Sequence, residues 1–137
     1  MFNARVANGD DALHGDEGAD LIFGGVGDDL IDGGTGQDTL MGGVGNDIMS
    51  GGPDAQADVF VFEDGFGNDT VQDYGVGQDV INLASVTGIT DFADLSASHL
   101  TQVGLHAVIT DGGNTITILD TDASLLSSSD FDFVWSV

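Results

Sequence analysis

The 137 residues contain no cysteine, so neither disulfides nor thiolate zinc sites hold this chain together. Proline occurs once, at Pro53, far below what a collagen-like or proline-rich segment requires. Lysine is absent, and Arg5 is the sole basic side chain. That scarcity excludes a phosphate-binding loop of the Gly-Lys-Ser/Thr type. It also argues against nucleic acid and anionic membrane surfaces, since nothing is available to neutralise phosphates. No apolar run is long enough to span a bilayer, so membrane insertion is not expected. Residues 1–6 lack the apolar core of about 7–15 residues of a secretory signal peptide, so any export is expected to use another address.

What is present is acid. Twenty-four Asp and Glu residues give a formal net charge of −23, which opposes compaction unless counter-charge is supplied. Such acidity often marks disorder. Here 41 % of residues are hydrophobic and the mean hydropathy is +0.12, so apolar material for a core exists.

A nine-residue period organises that material. From residue 15 the chain reads GDEGADLIF, GGVGDDLID, GGTGQDTLM and GGVGNDIMS, then an expanded GGPDAQADVFV; a degenerate VANGDDALH precedes them. The sixth position is always aspartate (Asp11, Asp20, Asp29, Asp38, Asp47) and the fourth is always glycine (Gly9, Gly18, Gly27, Gly36, Gly45). The eighth is apolar (Leu13, Ile22, Ile31, Leu40, Met49), and the expanded block ends the series with Asp58 and Phe60. Flexible glycine-rich linkers keep no such register. A helix–loop–helix calcium site needs flanking helices and a terminal glutamate, and neither is present.

Glycines at positions one, two and four allow positive φ and close backbone approach. Turned carbonyls and one carboxylate per block then build an all-oxygen cage, which suits Ca2+ better than Mg2+ because flexible backbone ligands leave few waters. The blocks resemble the nonapeptide of the repeats-in-toxin (RTX) family. That resemblance implies an all-β fold, a right-handed parallel β-roll in which six residues turn and three form a strand. Odd and even blocks would lie on opposite faces, with the eighth-position side chains between them.

It also implies ligands: carbonyls at positions two to four, with the sixth-position aspartate. These map to Ala7, Asn8, Gly9 and Asp11; Asp16, Glu17, Gly18 and Asp20; Gly25, Val26, Gly27 and Asp29; Gly34, Thr35, Gly36 and Asp38; Gly43, Val44, Gly45 and Asp47. Gly52 and Asp58 belong to the expanded turn. Roughly four to six calcium ions are expected from turns paired two blocks apart.

After residue 62 glycine thins out, which divides the chain into a calcium-binding roll of about six turns (1–62) and a capping β region (63–137). Residues 57–62 read as the first long strand of that cap. The stretches 65–74 and 77–83 resemble the segment that follows the repeats in serralysin-type exoproteins. This implies a further ion at Asp73 and Asp79, with Asp69 a secondary candidate; the alternative is that these aspartates only close Asx turns. Residues 91–95 suit a short helical turn, and 106–110 with 115–119 suit a hairpin around Asp-Gly-Gly-Asn. The tail 129–137 resembles an uncleaved C-terminal type I secretion signal, or else a last strand docking its aromatics.

His14, His99 and His106 share no metal-ligand spacing, and no Gly-x-Ser-x-Gly elbow occurs, so no enzyme is expected. The resemblance implies a secreted, extracellular calcium-binding module that folds on calcium after passing a type I exporter unfolded. It would stabilise or deliver a larger protein, with a passenger domain N-terminal to it. The alternative is a polysaccharide- or surface-binding module of an extracellular enzyme or adhesin.

Overall fold

The computed structural model describes residues 3–5 and 8–134. It is all-β apart from short helical turns. Among the described residues thirteen strands form two sheets, and the chain alternates between them as far as residue 103. One sheet holds β1 (Asn3–Arg5), β3 (Leu21–Val26), β5 (Thr39–Val44), β7 (Val59–Glu63), β9 (Val80–Ser85) and β13 (Phe131–Asp132), in that order and all parallel. The other runs β2 (Ala12–His14), β4 (Leu30–Asp32), β6 (Ile48–Ser50), β8 (Asn68–Gln72) and β12 (Asn114–Ile118), again parallel. Two antiparallel strands, β11 (His106–Asp111) and β10 (Leu100–Val103), complete it.

The register explains the nine-residue period. Ile22, Leu40, Phe60, Ile81 and Phe131 face one another across successive strands of the first sheet. Leu13, Ile31, Met49, Val71 and Ile118 do so in the second. Apart from Leu13, which is partly exposed, and Phe131 at 4 %, these side chains are fully buried and form one narrow core between the sheets. Each fully buried Leu, Ile or Phe contributes about 1.5–3 kcal/mol of transfer free energy. One such residue per half-coil makes a thin core.

The parallel stack continues past residue 62. β7 lies inside the first sheet rather than opening a cap, and β8 and β9 add two further half-coils. Irregularity begins after β9. Residues 86–99 bury Val86, Ile89 and Leu95 in the same core cluster. They include a one-turn helix, α1 (Phe92–Asp94), whose N-cap Asp91 side chain accepts from Asp94 N–H (2.8 Å). The β11–β12 hairpin turns at Gly112-Gly113, with Asp111 opposite Asn114 and Gly112 at φ 61°. Together β10–β12 close one sheet, and β13 closes the other. Both last parallel edges are thereby covered.

Candidate metal centre

Between stacked strands the turns repeat one backbone geometry. Gly25, Gly34, Gly43 and Gly52, at position two, have φ between 98° and 119°, and Gly27, Gly36 and Gly45, at position four, have φ between 126° and 139°. Gly9 and Gly18 share it at 111°, and Asp16 takes the left-handed conformation at 71° in a place glycine otherwise holds. A Cβ on Gly27, Gly36, Gly45 or Gly67 would strike the carbonyl of the glycine stacked on it one coil earlier: Gly9, Gly18, Gly27 or Gly45. Cβ atoms on Gly34, Gly43 and Gly52 would strike the carbonyls of Asp16, Gly25 and Gly34. Carbonyl oxygens therefore crowd the gap between coils, and only hydrogen-sized side chains leave them room.

The position-three carbonyls are already engaged in the ladder. Val26, Thr35 and Val44 accept from the amides of Gly9, Gly18 and Gly27 (2.7–2.9 Å). Glu17 forms a parallel bridge with Thr35. Asn8 lies exposed beside Gly9, and Ala7 lies outside the described residues.

The aspartates form two columns. Asp11 N–H donates to Asp29 Oδ1, Asp29 N–H to Asp47 Oδ1 and Asp47 N–H to Asp69 Oδ1. On the other side Asp20 N–H donates to Asp38 Oδ1, Asp38 N–H to Asp58 Oδ1 and Asp58 N–H to Asp79 Oδ1. These six bonds measure 2.8–3.0 Å, and each joins one coil to the next. The column members from Asp20 to Asp79 are all at most 4 % exposed.

In Asp29, Asp38 and Asp47 one carboxylate oxygen is thus engaged and the other is not. The Oδ2 atoms of Asp11, Asp29, Asp38 and Asp47 are shielded from solvent and have no hydrogen-bond partner. A Cβ on Gly24, Gly33, Gly42 or Gly51 would strike the Oδ2 of its own block's aspartate, which is why position one is also glycine. Asp79 differs, because its Oδ2 accepts from Gly75 N–H at 2.7 Å.

Electrostatics exposes the problem this creates. Burial raises the pKa of Asp29, Asp38 and Asp79, and pushes Asp47 up to about 6, Asp58 to about 7 and Asp69 to about 8. Each accepted amide bond opposes the rise, and the stacked aspartate neighbours add to it. Buried carboxylates with unused oxygens and no basic partner among the described side chains call for a cation. Oxygen is the only donor these turns offer, and most of it is backbone carbonyl. No three acidic or histidine side chains converge among the described residues, so any ion here would rest mainly on the backbone. This donor set fits a hard divalent cation with many oxygen ligands, as calcium requires.

Two placements were not legible beforehand. Asp69 stands in the column, while Asp73 lies exposed outside it, at φ 56°, and accepts from Ser50 Oγ (3.0 Å). Residues 64–72 and 74–82 are in fact two more nonapeptides, keeping glycine at position four (Gly67, Gly77), aspartate at six and an apolar residue at eight. The first column ends where Ile116 takes the place opposite Asp69.

The family model of the RTX calcium-binding nonapeptide repeat (four copies) matches residues 7–40 and 23–55. No curated protein matches the chain in a search by sequence. Among solved structures, the AlgE6R3 subunit of the Azotobacter vinelandii mannuronan C5-epimerase is 27 % identical, with a TM-score of 0.70 over 94 % of this chain and 81 % of that one. The AlgE6R2 subunit of the epimerase is 25 % identical, with a TM-score of 0.69 over 95 % and 94 %. The extracellular lipase LipA of Serratia marcescens is similar in fold (TM-score 0.72, 21 % identity) over 94 % of this chain but only 20 % of the lipase.

Proposed function

We propose, from the premise that this chain carries RTX calcium-binding nonapeptide repeats over residues 7–55, that it is an extracellular module whose folding is driven by calcium. The observation that carries this reading is the row of shielded, unpartnered aspartate oxygens at Asp11, Asp29, Asp38 and Asp47. Where calcium is scarce, these carboxylates repel across stacked turns and the chain stays unfolded, fit to pass a type I exporter. Outside, calcium supplies the missing charge. At about 100 times the dissociation constant each site adds about 2.7 kcal/mol to the folded state. A few such sites match the whole stability of a domain, so binding free energy becomes folding free energy.

The ions lie in the gaps bridged by the six aspartate–amide bonds, three in each column. Asp11, Asp20, Asp29, Asp38, Asp47, Asp58, Asp69 and Asp79 supply carboxylate oxygen, and the carbonyls of positions two to four supply the rest. Asp73 is left out of the ligand set. The calcium-binding stack reaches Asn82, and the cap follows it. The module stabilises or delivers a passenger N-terminal to it, with the tail as export address. The three histidines serve no catalytic site in this reading: each approaches a single carboxylate (Asp32, Asp94 or Asp120) at 3.5–3.9 Å, in separate parts of the fold.

Equilibrium dialysis of the full chain against calcium tests the site assignment. Six bound ions are expected, and fewer than four would sink the stacked-gap account. A passenger fused to residues 63–137 tests delivery: it should appear in the medium only when the exporter is present.

The similarity to two mannuronan epimerase subunits favours one rival, a polysaccharide-binding module. The net charge of −23 opposes a polyanionic glycan. A glycan array probed in calcium separates the two readings, since the folding module should bind nothing on it.

A further inference from the structure

Asp130 is a buried carboxylate that the repeats do not account for. It is 1 % exposed and has no basic partner among the described side chains, yet its oxygens are well supplied with donors. Oδ1 accepts from Gly77 N–H (2.9 Å) and lies 3.1 Å from the Tyr74 hydroxyl; Oδ2 accepts from Ser127 N–H (2.9 Å) and lies 3.4 Å from Ser127 Oγ. The Ser127 bonds are local and close the first turn of the short helix at Ser128–Asp130. The other two are not local. They cross from the C-terminal segment to the turn that carries Asp79, 53 and 56 residues away.

Tyr74 completes the connection. Its hydroxyl donates to the Asp79 carbonyl (2.8 Å) and also lies 3.2 Å from the Asp130 carbonyl. Its ring packs against Phe60 of the roll core, with centroids 6.2 Å apart. The next residue after Asp130, Phe131, is 4 % exposed and pairs with Ile81, two residues after Asp79. One side of the Asp79 turn is therefore fastened by Asp58 N–H, as in every other coil, and the other side by Tyr74 and Asp130.

We propose that Tyr74 and Asp130 are positioning residues that hold the Asp79 turn in its calcium-ligating shape, so that ordering of that turn and docking of the C-terminal strand are one event. The proposal rests on the reading of Asp79 as a calcium ligand. Coupling of this kind is reciprocal. Calcium at the last turn buries Phe131, and docking of Phe131 tightens calcium at the last turn.

The test uses the full chain with two substitutions. Tyr74→Phe removes only the hydroxyl and keeps the ring contact with Phe60. Asp130→Asn keeps size and one acceptor but turns an NH2 group toward amide donors. Calcium binding is followed by calorimetry, and amide hydrogen exchange is followed at residues 77–79 and 131–132. Each variant should weaken at least one calcium-binding step by about tenfold, the loss of one good hydrogen bond. Each should also speed exchange at both segments together. The double variant should be little worse than the worse single one, because the two act on one element.

Faster exchange at 131–132 with every calcium step unchanged overturns the proposal, and so does weakened calcium with 131–132 still protected. If Asp130→Asn fails to fold, Tyr74→Phe alone decides between these outcomes. If the unsubstituted chain binds no calcium, the calcium reading of Asp79 falls. The exchange data then report separately whether the two segments open together.

Discussion

Acid should do part of calcium's work. Burial pushes Asp47 up to a pKa of about 6, Asp58 to about 7 and Asp69 to about 8, against the ordinary 3.8. A carboxyl whose pKa is raised by folding favours the folded state while it is protonated in both states. That contribution is complete below the unfolded value, near 4, and fades as pH rises through the folded value. The relevant window is therefore about pH 4 to 8, and stability without calcium must fall across it. Each pH unit of displacement is worth about 1.4 kcal/mol. After allowance for water reaching the turns, the three groups together amount to on the order of 5–10 kcal/mol, comparable to the stability of a whole domain. In EDTA, far-ultraviolet circular dichroism should show β-structure near pH 5 and lose it between pH 6 and 8. Saturating calcium should abolish the transition at pH 7.5, and the calcium midpoint should rise on acidification because ligation needs ionised carboxylates. A spectrum in EDTA that stays unchanged from pH 5 to 8 would refute the claim that buried, uncompensated aspartates govern folding.

Glycine placement gives a second prediction. Gly43→Ala puts a Cβ against the Gly25 carbonyl at φ 102°, and should lower the thermal midpoint in calcium far more than Gly104→Ala, where φ is 60° and the space is open. The expected cost is at least 1–3 kcal/mol at Gly43 and about 1 kcal/mol at Gly104; equal midpoints would contradict the stacked-carbonyl geometry. Asp69 and Asp73 separate in the same way. Asp69→Ala strips the acceptor from the buried Asp47 amide, at about 1–3 kcal/mol, and should remove one bound calcium, whereas Asp73→Ala should leave the calcium count unchanged. Dialysis on the two variants checks this, and loss of an ion from Asp73→Ala with none from Asp69→Ala would invert the assignment.

The nonapeptides up to Phe60 were legible because each carries glycine, aspartate and an apolar residue in fixed register, and the parallel stacking of β2–β6 was expected from their resemblance to the RTX repeat, whereas β7 read as the start of a cap. The hairpin at Gly112-Gly113 was legible from its turn residues. The two half-coils at 64–72 and 74–82 were obscured for a physical reason. The expanded turn at 53–57 adds two residues, Phe62-Glu63 add two more and Asp73 adds one, so the strands stay stacked while the spacing between column aspartates stretches to 20, 22 and 21 residues. Position one also changes, to Asp64 and Tyr74, so a search for paired glycines stops too early. Positions four, six and eight were the better guide. The role of Asp130 had no local signal, since its partners at Gly77 and Tyr74 are brought to it only by the closure of β13 on β9.

Whether calcium folds the chain is decided by a calcium titration followed by far-ultraviolet circular dichroism at pH 7.5, with magnesium as control and EDTA to reverse it. A cooperative gain of β-signal is expected with calcium, none with magnesium, and full reversal by EDTA. A chain already folded in EDTA at that pH, with a spectrum indifferent to added calcium, would contradict calcium-driven folding.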